Sequence, residues 1–142
     1  MKVSFSGVNK IYGTTRGGAG GTLALDRLDL DIAREEIVSI VGPTGCGKST
    51  ALNLLAGFES PTSGQVRVDG QTVAGPGSDR GVVFQQASLF PWMTVLANVV
   101  LGVRCKGVPA ATCEPRALRL LEEVGLKGFE RHHPYQLSGG MR

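Results

Sequence analysis

The sequence predicts an α/β domain built around a strand, a glycine-rich loop and a helix that follow one another directly. The run IVSIV at residues 37–41 is apolar except for Ser39, which is typical of a strand covered on both faces. Three glycines follow within GPTGCGKST at residues 42–50, and KSTALNLLAGF at residues 48–58 has the apolar spacing of a helix. A length of 142 residues with 42% hydrophobic content suits one globular domain.

Two segments with alternating apolar residues precede this unit. KVSFSGV at residues 2–8 and TLALDRLDLDI at residues 22–32 have the pattern of half-buried strands, and we predict that they pair antiparallel. Between them, GTTRGGAGG at residues 13–21 is too rich in glycine to hold a fixed element. We expect it to be an exposed, mobile connection.

Turn signals divide the segment after the first helix. Gly57 stands where a helix commonly ends in a left-handed residue. QVRVDGQTV at residues 65–73 predicts a short hairpin around Asp69 and Gly70. RGVVFQ at residues 80–85 predicts another short apolar strand.

The C-terminal part of the sequence predicts helices. Thr94 is the expected N-cap of one of them. PRALRLLEEVGL at residues 115–126 has the spacing of a helical face, with Pro115 tolerated in the first turn and Gly125 closing the helix. Ser138 is the expected N-cap of a further helix.

Composition excludes several classes of protein. The 15 basic residues are scattered among 12 acidic ones for a net charge of +3, so no nucleic-acid footprint follows. Cys46, Cys105 and Cys113 form no CxxC pair, which argues against a disulfide framework and a zinc site and favours a reducing compartment. The apolar stretch at residues 95–103 is about half of what spans a bilayer.

The glycine-rich loop matches the phosphate-binding pattern G-x-x-x-x-G-K-[ST]. Glycines let successive backbone N–H groups turn inward toward phosphate oxygens, and the helix that follows adds its positive end. Lys48 would reach the β- and γ-phosphates, and the Ser49 hydroxyl would bind Mg²⁺. The pattern alone does not choose among kinases, GTPases and transport ATPases. The predicted phosphate-binding residues are Gly42, Pro43, Thr44, Gly45, Cys46, Gly47, Lys48, Ser49 and Thr50.

Three further segments carry a resemblance to one family. LSGGM at residues 137–141 resembles the signature of ATP-binding cassette (ABC) ATPases, and VVFQQASLFPWMTVLANV at residues 82–99 resembles their Q-loop segment. VNKIYG at residues 8–13 resembles the segment with the adenine-stacking aromatic. The resemblance covers essentially the whole chain. It implies an α/β P-loop NTPase core with an N-terminal antiparallel β subdomain and a helical subdomain, truncated after the signature motif.

The resemblance also implies roles for individual residues. Tyr12 would stack on adenine, although a strand-end tyrosine packing on the sheet edge is the alternative. Gln85 would contact Mg²⁺ or the attacking water as a catalytic residue beside Lys48, with Gln86 a solvated neighbour. The signature residues would close over the γ-phosphate of a nucleotide held by a second ATPase subunit, most simply in a homodimer: Ser138, Gly139 and Gly140.

Within the family, residues 68–85 and 89–99 most resemble ATPase subunits of nitrate, sulfonate and taurine importers. Such a subunit is expected peripherally at the cytoplasmic face of the cell membrane. Its partners would be transmembrane permease subunits and, indirectly, a periplasmic or extracellular binding protein, with no nucleic acid.

The family pattern continues past the signature with Walker B, D-loop and switch-histidine regions. We therefore expect residues 1–142 to be an incomplete ABC ATPase domain that hydrolyses ATP only as part of the full-length protein. Apolar faces of residues 37–41 and 81–84 should then be exposed. One alternative is a nucleotide-binding regulatory module without hydrolysis. Another is a soluble P-loop kinase, although the signature and Q-loop segments argue against it.

A few residues invite other chemistry. Cys46 has no adjacent base or second thiol, so we interpret it as a small residue that the loop tolerates and not as a nucleophile. His132 and His133 are expected to be a polar surface pair rather than metal ligands or a general base. Trp92, with Phe90 beside it, is expected either to contact a permease subunit or to pack in the core.

Overall fold

The computed structural model describes residues 2–13, 20–86 and 88–142, and the chain divides into two compact units, Met1–Val82 and Val83–Arg142. The first unit holds the sheet and the glycine-rich loop, and the second holds the C-terminal helices. The centre of the predicted mobile connection, residues 14–19, lies outside the described residues.

The first unit contains an antiparallel sheet. Its strands are β1 (Val3–Tyr12), β2 (Thr22–Ile32), β3 (Ser63–Val68) and β4 (Gln71–Thr72). Within the described residues the strand order is β2-β1-β3-β4. The predicted pairing of the two N-terminal segments is confirmed, since Phe5 of β1 lies opposite Leu30 of β2. The predicted hairpin is also confirmed, because Asp69 and Gly70 both have positive φ, 48° and 82°, between β3 and β4.

The core of this unit lies between the sheet and helix α1 (Lys48–Ala56). Alternate residues of β1 and β3 point to the same face and are buried, and Leu54 of α1, only 1% exposed, packs against them. The buried cluster consists of Val3, Phe5, Val8, Leu54, Val66 and Val68. Burial of each large side chain contributes about 1.5–3 kcal/mol, so this face fixes α1 on the sheet. The C-terminal end of the glycine-rich loop, which runs into α1, is fixed with it.

Two predicted strands do not form. Residues 37–41 and 80–85 have no strand structure, and the predictions of a covered interior strand at IVSIV and of a strand at RGVVFQ are wrong for this chain. Ile37 is 96% exposed and Val83 is 99% exposed. An extended segment becomes a strand only when a neighbour accepts its backbone hydrogen bonds. The expected exposure of these apolar faces is confirmed.

The second unit contains helices α2 (Val95–Cys105) and α3 (Ala110–Glu123) and 3₁₀ turns at Pro134–Gln136 and Gly139–Met141. The predicted N-cap of α2 is confirmed, because the Thr94 side chain accepts a hydrogen bond from Ala97 N at 3.2 Å. Val95, Leu121 and Leu137 form the buried cluster of this unit.

Helix α3 starts earlier than the sequence predicts. It begins at Ala110, so Pro115 lies inside the helix and not in its first turn. Pro109 takes the cap position, and its carbonyl accepts from the N–H groups of Thr112 and Cys113 at 3.0 and 3.3 Å. The predicted end is confirmed, since Gly125 has a φ of 76° and directly follows the cap.

Candidate functional site

The loop at residues 42–50 is curled rather than extended. Gly45 and Gly47 have φ of 85° and 93°, a region that suits glycine, and Cys46 N bonds back to Pro43 O at 3.4 Å. A Cβ on Gly47 would lie 2.5 Å from the carbonyl oxygen of Ala24 on β2. The close approach to β2 and the left-handed backbone therefore both require glycine at position 47.

The Lys48 side chain folds back across this loop. Its Nζ donates to the carbonyl oxygens of Gly42 at 2.8 Å and Pro43 at 2.6 Å and lies 3.5 Å from Cys46 Sγ. The two carbonyls hold the ammonium against the loop. A lysine ammonium has three N–H donors. Two of them bind the carbonyls, and the third contacts only the weak acceptor Cys46 Sγ, which an anion can replace.

The start of α1 is suited to an anion. The helix begins at Lys48 behind Gly47, with no acidic residue in its first turn and no side-chain cap from any residue that the structure describes. Its first N–H groups and its positive dipole end therefore stay free for negative charge. Ser49 is exposed at this point, and its hydroxyl is the kind of hard oxygen that Mg²⁺ accepts.

Tyr12 lies beside the same loop. Its hydroxyl oxygen is 3.5 Å from Thr50 Oγ1, which brings the last residue of β1 to the end of the glycine-rich segment. The Tyr12 side chain is 38% exposed, so part of its ring is open to solvent. Tyr12 and residues 42–50, predicted from separate parts of the sequence, therefore meet in one place.

Two charged residues that the sequence did not single out surround Tyr12. Lys10 Nζ lies 4.9 Å from the centroid of the Tyr12 ring, and it forms an ion pair with Glu59 Oε2 at 3.1 Å. The pKa of the Glu59 carboxyl is below its ordinary value. The main cause is a hydrogen bond from the Tyr12 hydroxyl, and hydrogen bonds from Lys10 and Asn53 lower it further. The one sequence signal for Lys10 is its place two residues before Tyr12, because alternate strand residues share a face.

An apolar groove of about 520 Å³ borders the loop on another side. It runs between α1, the end of β2 and residues 36–40, and its lining includes Ile32, Val38 and Leu52. Lys48 and Ser49 lie at its edge. Because most of its lining side chains are apolar, this groove suits packing rather than phosphate.

Gln85 and the signature residues lie in the second unit. Gln85 and Gln86 are both exposed. Ser138 occupies the predicted N-cap position, at the start of the Gly139–Met141 turn, but its side chain makes no capping bond there. The turn is instead held by its backbone, since Met141 N bonds to Ser138 O at 3.1 Å. Ser138, Gly139 and Gly140 are exposed beside the buried Leu137.

The segment before α2 presents aromatic side chains. Trp92 is 73% exposed, so the alternative of a core role is wrong, and its ring centroid is 5.4 Å from that of Phe90. Asn98, which the sequence did not mark, holds this turn. Its amide accepts from Phe90 N at 2.8 Å and donates to the carbonyls of Phe90, Met93 and Thr94.

The histidine pair is half-buried, so its prediction as a polar surface pair is wrong. The rings pack on aromatic neighbours, His132 on Phe129 at 5.0 Å and His133 on Tyr135 at 5.5 Å between centroids. The His132 carbonyl also accepts from Val95 N at 2.8 Å. Across residues 2–13, 20–86 and 88–142, no group of His, Cys, Asp or Glu is arranged to hold a metal ion.

Known proteins resemble this chain over nearly its whole length. An uncharacterised ABC transporter ATP-binding protein of Methanocaldococcus jannaschii is 50% identical over 119 residues, 84% of this chain and 45% of that protein. A taurine import ATP-binding protein of Burkholderia pseudomallei is 49% identical over 135 residues, 95% of this chain and 51% of that protein. The chain thus spans about half the length of the curated relatives it matches.

Solved structures agree with this similarity. The ATP-binding cassette MJ0796, in a dimeric post-hydrolysis state bound to ADP and Pi, superposes with a TM-score of 0.81 at 36% identity, over 98% of this chain and 64% of that one. None of the helices in the described part of the chain is long and apolar enough to span a bilayer. The family profile described as ABC transporter matches residues 25–142, and the chain belongs to this family, with the fold of an ABC ATPase cassette.

Proposed function

We propose that this chain is the ATP-binding part of an energy-coupling subunit of an ABC importer. The observation that carries the proposal is the curled loop at residues 42–50, with the Lys48 ammonium folded across it and the uncapped start of α1 beside it. A curled glycine-rich loop, a cation held across it and a helix N-terminus together favour a polyphosphate.

The nucleotide would lie along this loop. Its terminal phosphates would take the Lys48 donor that otherwise contacts Cys46 Sγ, together with the first N–H groups of α1, and its base would stack on Tyr12. Mg²⁺ bound with the nucleotide would neutralise phosphate charge, and Ser49 and Gln85 are the residues proposed to hold it. Tyr12 stays close to the loop through Thr50, which supports base and phosphate binding in one site.

Other surfaces would serve partners in the full-length protein. The exposed turn at Ser138, Gly139 and Gly140 would close over the nucleotide of a second ATPase subunit, so that ATP drives dimerisation and hydrolysis drives transport. The exposed Trp92 and Phe90 would contact a permease subunit at the cytoplasmic face of the membrane. The taurine import relative supports taurine as a cargo within the proposed nitrate, sulfonate and taurine class. A separate binding protein would deliver the cargo.

The test is MgATP binding and turnover by the full-length gene product. The Lys48→Ala variant should bind MgATP at least tenfold more weakly and lose hydrolysis, because the fixed cation at the loop is gone. Lys106→Ala is the matched control, since Lys106 is an exposed lysine at the end of α2. Equal MgATP affinity in the Lys48→Ala variant and the wild type would refute the proposal.

A further inference from the structure

A cluster of polar side chains joins the end of β1 to the end of α1, and we call Lys10, Asn53 and Glu59 the ring clamp. Lys10 and Tyr12 share a face of β1, Asn53 lies in the last turn of α1, and Glu59 follows the cap of that helix. The carboxylate of Glu59 accepts from Asn53 Nδ2 at 3.1 Å and pairs with Lys10 Nζ at 3.1 Å. One carboxylate therefore ties the two elements together.

The clamp fixes the ammonium of Lys10 against one face of the Tyr12 ring. Besides Glu59, Lys10 Nζ donates to the carbonyl oxygen of Ser60 at 2.9 Å, and it lies 4.9 Å from the ring centroid. The Lys10 and Glu59 side chains are only 15% and 25% exposed. A cation held in this way over an aromatic face is attracted by its quadrupole, so ring and ammonium restrain each other.

This arrangement leaves the Tyr12 ring with two unlike faces. The ammonium occupies one face, and the hydroxyl is held near Thr50 and Glu59, yet the side chain remains 38% exposed. A flat base can stack only on the face that Lys10 does not cover. A ring already fixed in orientation also loses less conformational entropy when the base arrives.

We propose that Glu59 is a positioning residue for base recognition, which acts through Lys10 to fix the Tyr12 ring so that the nucleotide base stacks on the face opposite the ammonium. The proposal rests on the proposed function, in which residues 42–50 hold the phosphates. Among the described residues, Lys48 bonds to the carbonyls of Gly42 and Pro43, whereas Glu59 bonds to Lys10 and Asn53, so the effect of Glu59 should fall on the base and not on the phosphates.

The test compares two ligands in the full-length gene product by calorimetry in the presence of Mg²⁺. ATP carries a base and inorganic tripolyphosphate does not. The Glu59→Gln variant should bind ATP about three- to tenfold more weakly, the scale of a lost cation–π restraint, and tripolyphosphate within twofold of the wild type. Glu122→Gln is the matched control, because it removes the exposed ion pair with Lys127 in the other unit.

Two substitutions at Lys10 keep the test decisive if Glu59→Gln does not fold. Lys10→Met keeps the aliphatic length but removes the cation, so it should reproduce the selective loss of ATP affinity. Lys10→Arg keeps a cation over the ring, so its ATP affinity should stay close to that of the wild type. Equal loss for both ligands, or loss for neither, would overturn the positioning role. Failure of the wild type to bind tripolyphosphate would instead overturn the proposed phosphate site.

Discussion

Gly47 is the residue on which the shape of the loop depends most. It combines a φ of 93° with a close approach to β2, whereas Gly45 has a φ of 85° and open space around its missing Cβ. Gly45→Ala should therefore cost about 1–2 kcal/mol of unfolding free energy through backbone strain alone. Gly47→Ala should cost more, because its methyl group would also meet the carbonyl oxygen of Ala24.

Urea unfolding of the two variants measures this difference. MgATP affinity, measured on the same samples, should fall further for Gly47→Ala. Equal destabilisation by both alanines would mean that the contact with β2 does not constrain the loop.

The lowered pKa of Glu59 implies that the unfolding free energy depends on pH. Its pKa is lowered in the folded protein, first by the Tyr12 hydroxyl and then by Lys10 and Asn53, from an ordinary value of 4.5. A lowered carboxyl pKa stabilises the fold above the unfolded value, and this contribution disappears as the pH falls through the folded value. The unfolding free energy of the wild type should thus exceed that of Glu59→Gln by at most about 1 kcal/mol at pH 7.

Unfolding free energies of both proteins between pH 7 and pH 3 check the sign. The gap between them should close as the pH is lowered. A gap that stays constant or widens toward acid would contradict the assigned direction of the pKa shift.

Local and distant residues of the site differ in how far the sequence could predict them. The loop glycines and Lys48 lie within nine residues, so their spacing alone carries their geometry. Lys10 and Glu59 are 49 residues apart, and only the packing of α1 on β1 brings them together. Asn98 was missed for a similar reason, because its role depends on how the chain turns eight residues earlier.

At the scale of elements, Asn98 holds the turn that precedes α2. Its side chain makes four hydrogen bonds to backbone groups of Phe90, Met93 and Thr94. Asn98→Ala should cost about 1–3 kcal/mol, because backbone groups lose their partners. Asn98→Asp keeps the acceptor for Phe90 N but loses the donors, so its cost should be intermediate.

Chemical denaturation gives these costs, and fluorescence anisotropy of Trp92, the one tryptophan of the chain, reports the mobility of the turn. Anisotropy should fall in the order wild type, Asp variant, Ala variant. A turn as rigid in Asn98→Ala as in the wild type would show that the amide does not hold it.

Turns and helix ends that one or two residues mark agree with the sequence, whereas the strands predicted at residues 37–41 and 80–85, which need a pairing partner, do not form. The hairpin at Asp69 and Gly70, the cap at Thr94 and the left-handed end at Gly125 all follow from one or two residues. IVSIV at residues 37–41 has the composition of an interior strand, yet a strand needs a partner for its backbone. Helix α3 starts earlier than the sequence predicts because Pro109 takes the cap position, and Pro115 lies inside the helix.

At the scale of the whole molecule, exposed aliphatic side chains are the main liability. Ile37, Val41 and Val83 are 96%, 91% and 99% exposed. Such segments favour association, so the 142-residue chain should form soluble oligomers in light scattering. Combining Ile37→Lys with Val83→Lys should reduce this association and leave the far-ultraviolet circular dichroism unchanged.

Val124→Lys provides the control for added charge, since Val124 is 69% exposed next to the end of α3. It should leave the oligomer distribution nearly unchanged. Equal suppression by the control and the double variant would mean that charge alone, not these two segments, governs association.

In the proposed site, backbone N–H groups at residues 45–50 bind polyphosphate together with Lys48. Backbone amide chemical shifts recorded during titration of the full-length gene product with MgATP test it most directly. We expect the largest chemical-shift changes at Gly45–Thr50, saturating together, and we expect these changes to be lost in the Lys48→Ala variant. Saturable ATP binding that leaves these six amides unmoved would contradict it.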